Sequence, residues 1–118
     1  MSAVAVGAAL CLLGLAATFQ AALALGAPWG RVAYGGRAAA EDGRLPGRLR
    51  VASGCTVLVL AGAAWALQAD ITPAKWTLTA LFAVNTAANL TGAHPVERWV
   101  MSAGTLALTA AFLMLSLT

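Results

Sequence analysis

Charged residues are scarce in this 118-residue chain: Asp, Glu, Lys and Arg make up 9% of it, against 61% apolar residues. Soluble domains carry about a quarter charged residues, so the shortage excludes a fold stable in water and leaves lipid as the solvent. Only four acidic residues and one histidine are present. His94 has no companions at ligand spacing, so no metal and no cofactor is expected. The two cysteines, Cys11 and Cys55, fall in opposite halves of the hydrophobic stretches described below, which excludes a disulfide between them. They read as small buried residues. Although the formal net charge is +3, the basic residues lack the aromatic interleaving that single strands need, which excludes nucleic acid as a partner.

What is present is hydrophobic sequence in four runs. The chain reads as all-α, a polytopic membrane protein forming one four-transmembrane-helix bundle. Its spans cover about 3–26, 51–69, 75–91 and 95–117, joined by an Arg-rich loop at 27–50. Such runs suit a hydrocarbon core of about 30 Å, which needs roughly 17 to 25 helical residues. Pro28, Trp29 and Gly30 end the first span. It has no positive n-region and exceeds the usual signal-peptide core in length, so it reads as a permanent helix.

Arg31, Arg37, Arg44, Arg48 and Arg50 all lie in the first connection, whereas the second has only Asp70 and Lys75. The positive-inside rule puts the first loop in the cytoplasm and both termini outside. Trp29 and Trp99 then mark the inner interface, Trp65 and Trp76 the outer one. The five arginines are candidate contacts for anionic lipid headgroups, or simply topology signals. Five glycines and two prolines argue against a continuous helix there, though 38–42 fits a single turn. Gly35-Gly36 lacks the strand-turn-helix setting of a nucleotide loop.

Polar groups within the spans collect in the inner half. Gln20, Ser53, Thr56, Asn85, Asn89, Ser102 and Thr105 fall at comparable depth at about 1.5 Å per residue. Asn85 and Asn89 are four apart and share a face. Amides are costly in hydrocarbon without partners, so the expectation is a ligand-binding vestibule formed by Gln20, Asn85, Asn89 and Ser102. The competing reading is interhelical hydrogen bonding. His94, Pro95 and Glu97 read as a helix start, and alternatively Glu97 and Arg98 form a charged, catalytic rim. Asn89-Leu90-Thr91 matches a glycosylation sequon but lies at the membrane's cytoplasmic edge. Small residues at Ala3, Gly7, Cys11, Gly54, Ala61, Gly62 and Ala66 predict close helix packing, within one chain or in a homo-oligomer.

The run Leu25-Gly26-Ala27-Pro28-Trp29-Gly30, with Tyr34-Gly35-Gly36, Leu45-Pro46, Arg48-Leu49-Arg50, Asn89 and Glu97-Arg98-Trp99, resembles a family of small four-helix bacterial membrane proteins of uncharacterised activity. The resemblance covers nearly the whole chain. It implies the bacterial cytoplasmic (inner) membrane and carries no chemistry with it. Small multidrug exporters share the length and helix count but use a glutamate in the first helix, where this chain has Gln20. Small fluoride channels also have four helices and polar pore residues, yet often insert both ways, against the arginine bias here.

Two functions follow as expectations. The first is a non-catalytic permeation or carrier subunit for a small polar solute, or a membrane assembly partner, with the inner pocket as its site. The second is an intramembrane enzyme or binding protein for a lipid-soluble molecule, resembling the four-helix sterol isomerases in plan, with Glu97 as acid or base. Against the second stands the lack of a nucleophile-base pair or a buried carboxylate.

Overall fold

The computed structural model describes residues 3–118, and all of its regular structure is helical. The elements are α1 (Ala3–Ala24), α2 (Gly47–Gln68), α3 (Thr72–Leu90) and α4 (Ser102–Ser116). A π-helical segment, Val96–Met101, runs directly into α4, and two 3-10 turns, Gly30–Val32 and Tyr34–Gly36, lie in the long connection. Two antiparallel hairpins, α1–α2 and α3–α4, pack closely within themselves and meet chiefly through α1 and α4.

Three helices are long and apolar enough to cross a membrane: α1, α2 and the continuous Val96–Ser116 helix. They fit a multi-pass membrane protein. Their outward faces are hydrocarbon: Val4, Leu15, Leu58, Leu106 and Met114 are all exposed, the inverse of a soluble surface. The 19-residue α3 is not among the three, because it carries Lys75, two asparagines and four threonines. Thr77, Thr79 and Thr86 donate to carbonyls one turn earlier, which hides much of their polarity.

The helix ends follow local chemistry. At the end of α1, the Gly26 N–H bonds the Leu23 carbonyl and the Ala27 N–H bonds that of Ala22, a Schellman motif with Gly26 at φ +99°. Gly26 therefore stops the helix, ahead of the expected Pro28. In α2 the same arrangement recurs with Asp70 at φ +56°, where Asp70 bonds Leu67 and Ile71 bonds Ala66. Aspartate tolerates this left-handed region better than most residues.

α2 begins a turn earlier than the expected Val51, its first carbonyl acceptor being Pro46. Arg48 and Arg50 thus belong to a helix rather than the loop. The Arg50 Nε donates to the Ala24 carbonyl at 3.1 Å, satisfying one of the orphan carbonyls at the end of α1.

The core occupies the half of the bundle away from the long loop. Ala9, Leu13, Leu60, Ala63, Leu67, Phe82, Leu108, Phe112 and Leu115 form one buried cluster, with the Phe82 and Phe112 rings tilted at 5.3 Å. Several small residues do not perform the packing expected of them. Ala3, Gly7, Cys11, Ala61 and Gly62 are exposed, and a Cβ at Gly7 or Gly62 would meet nothing within 4 Å. The α1–α2 seam runs instead along Ala9, Leu13, Leu60 and Ala63. Both cysteines are free and exposed rather than buried. A small thiol is apolar enough to face lipid.

Candidate functional site

The long connection folds back over its end of the bundle. The Gly30 N–H donates to the Gly43 carbonyl at 2.7 Å, Gly43 closes a turn on Ala40, and Arg31 donates to the Glu41 carbonyl. Ala33 and Leu45 bury against Leu23. The resulting lid carries Tyr34, Gly35 and Gly36, three successive residues with positive φ. Glycine adopts this region freely, whereas Tyr34 is held in it by its hydroxyl, which lies 2.9 Å from the Ser53 Oγ. The Gly35 carbonyl accepts the Ala93 N–H, tying the lid to the α3–α4 turn.

Beneath the lid is a cavity of about 430 Å³ bounded by all four helices. Its walls follow helical spacing. α1 supplies Leu12, Leu15, Ala16, Phe19 and Gln20, and α3 supplies Phe82, Asn85, Ala88 and Asn89. Met101, Gly104, Thr105 and Leu108 come from the fourth helix. Ser102 lies off that last stripe by about 100° of helical rotation and is not on the wall. Its buried Oγ has no partner. Gln20, Asn85 and Asn89 do meet at one cavity. Leu15, Asn85 and Val100 line it and are also exposed, so it opens sideways through the bundle surface.

The amides differ in their engagement. Asn89 reaches Thr105 Oγ1 at 3.4 Å, and Thr86 Oγ1 lies 2.9 Å from the same oxygen. These contacts glue α3 to α4. Asn85 makes no hydrogen bond among the described residues, and the buried Gln20 Oε1 has no partner.

Glu97 overturns the expectation that no carboxylate is buried. It is 2% exposed, lines the cavity, and accepts the Gly35 N–H on Oε2 at 3.0 Å. Its Oε1 has no partner and rests against Gly92, where an added Cβ would collide with it. The π-helical segment places this side chain inward while Trp99 stays exposed. π segments recur at functional sites. His94 caps the helix through Nδ1, which accepts the Val96 N–H at 3.1 Å. Arg98 turns away from the cavity, donating to the Gly92 and Ala93 carbonyls.

The remaining arginines divide in two. Arg31, Arg37 and Arg50 serve backbone carbonyls, while Arg44 and Arg48 are exposed at the lid end without such a bond from their side chains among the described residues. At the opposite end Lys75 is 1% exposed, donating to Asp70 at 2.5 Å and to the Leu115 carbonyl at 3.0 Å. The hydrogen bond from Lys75, reinforced by its charge, lowers the Asp70 pKa below its ordinary value. Sequence reading missed this pair, and also Tyr34 and Gly35 at the cavity. The only signals were the proximity of Asp70 to Lys75 across a turn and the unusual Tyr-Gly-Gly run.

Among the described residues no three His, Cys, Asp or Glu cluster closely enough to hold a metal ion. No family model, curated protein or solved structure matches the chain.

Proposed function

We propose that this chain is a four-span protein of a bacterial cytoplasmic membrane, with both termini extracytoplasmic, that binds and carries a small amphiphilic molecule. The observation behind this reading is the cavity, with largely hydrocarbon walls and a polar end made by Gln20, Asn85, Asn89, Tyr34 and Glu97. Its volume lies within the roughly 300–1,000 Å³ usual for small-molecule sites. Apolar walls favour an amphiphile over the fully polar solute expected from the inner-half amides. The side opening gives such a molecule a route from the bilayer. Below the cavity, Leu67 and Phe112 are fully buried, which favours a closed binding site over a continuous pore.

Native mass spectrometry from mild detergent tests this. The wild-type protein is expected to retain one lipophilic molecule per chain. Gly104→Leu is expected to release it, because Gly104 lines the cavity and a Cβ there meets nothing within 4 Å. A wild type that carries no molecule, in detergent and in lipid nanodiscs alike, contradicts the reading.

A second reading, an intramembrane enzyme with Glu97 as acid or base, draws support from the burial of that carboxyl beside the lid. Its companion Tyr34 is already hydrogen-bonded to Ser53, and the wall offers no nucleophile-base pair. Turnover of a retained molecule, abolished by Glu97→Gln in a folded protein, would establish it. Unchanged turnover in that variant would reject it.

A further inference from the structure

We infer that the molecule in the cavity carries a positively charged, hydrogen-bond-donating head, an alkyl amine in chemical class, and that Glu97 receives it. The inference rests on the binding reading above and adds the sign and donor character of the ligand.

Among the described residues, Glu97 is the one charged side chain on the cavity wall, which has no Lys, Arg or His. Neighbouring arginines bond backbone carbonyls rather than Glu97: Arg98 those of Gly92 and Ala93, Arg37 that of Gly35, and Arg50 that of Ala24. The carboxyl is buried with a single donor, the Gly35 N–H, and Oε1 is unpartnered. A buried carboxylate in that condition lacks the pairing that such groups ordinarily require. Oε1 is closed off against Gly92, so the Glu97 side chain turns from that contact to meet an ammonium, which then supplies both missing components, a positive charge and up to three N–H donors.

The neutral part of the polar end fits the same head. Asn85 and Asn89 each bring an amide carbonyl as acceptor, and donors of the ligand that Glu97 does not take are satisfied by them. Phe19 and Phe82 add ring surface to the wall, suited to an alkyl chain. A carboxylate or phosphate head would instead meet Glu97 with like charge and no basic residue on the wall to offset it. Gly92 is the geometric condition for the arrangement, since any side chain there would occupy the space of the carboxyl.

The test uses the full chain in phosphatidylcholine nanodiscs, with decylamine, decanol and decanoate as probes that differ only in the head group. Binding is read by native mass spectrometry across a concentration series. Decylamine is expected to bind about tenfold or more tightly than the other two, the scale of a charge-assisted hydrogen bond. Glu97→Gln is expected to bring decylamine down to the level of decanol while leaving decanol unchanged. That comparison also cancels partitioning into the lipid. Gly92→Ala keeps the charge but displaces it, and is expected to weaken decylamine selectively should the first variant fold poorly.

Equal binding of amine and alcohol, or tighter binding of decanoate, overturns the inference while leaving the cavity as a binding site. An amine preference that survives both variants also overturns it. Binding of none of the three overturns the inference and the binding reading together.

Discussion

A carboxyl with 2% exposure and a glycine without a side chain share one small volume at the start of the fourth helix. Gly92→Ala should cost about 1–3 kcal/mol, the usual range for overpacking, whereas Gly62→Ala, which meets no neighbour, should be neutral or mildly stabilising through helix propensity. Thermal unfolding of the two variants in one detergent checks the contrast. Asp70 provides a second residue-level prediction. Its folded pKa lies below the ordinary value because Lys75 donates to it, so its contribution to stability is complete above the unfolded pKa of about 3.9. It is lost as pH falls through the lower folded value. Wild-type melting temperature should therefore drop in that acid window relative to its value at pH 6, and the corresponding drop in Asp70→Asn should be smaller. At this scale the sequence was partly legible. The spacing from His94 to Glu97 does mark a helix start, but the burial of Glu97 depends on Gly35, 62 residues away, and local periodicity carries no record of that contact.

Helix ends and the lid are the elements on which the site depends. α1 stops at Gly26 in a left-handed conformation, and its Ala24 carbonyl is taken by Arg50 from α2. Gly26→Ala should destabilise by about 1–2 kcal/mol, the cost of that conformation for a residue with a Cβ, and Arg50→Met by a similar amount through the lost charge-assisted bond. Chemical unfolding followed by tryptophan fluorescence reads both. The apolar runs made the four helices legible to within a few residues. The loop was less so, because its order comes from Gly30, Gly43 and Arg31 meeting backbone carbonyls, and such partners have no residue identity to read. Ser102 was expected on the cavity wall, but its face of the helix points away from it.

For the whole molecule, the bundle measures 46 × 23 × 21 Å, enough to span a hydrocarbon core with its headgroup regions of about 40–45 Å. Trp29 and Trp99 are exposed near the lid end, and Trp65 and Trp76 near the other. With Cys11 and Cys55 replaced by Ser, Thr118→Cys should react with a membrane-impermeant maleimide on intact bacteria. Arg44→Cys should react only after lysis, and the reverse pattern would invert the proposed orientation. The cavity was foreshadowed by the amides Gln20, Asn85 and Asn89, yet its hydrocarbon walls and side opening arise from how two hairpins meet. Sequence periodicity does not encode that packing.

Photolabelling with a diazirine-bearing alkylamine in nanodiscs tests directly whether the cavity holds a ligand. Peptide mapping should find the label on Phe19, Leu60, Met101 or Leu108, and Gly104→Leu should abolish it there. Label confined to outward residues such as Val51, Leu58 and Leu113, and unchanged by Gly104→Leu, would show that the cavity holds no such ligand.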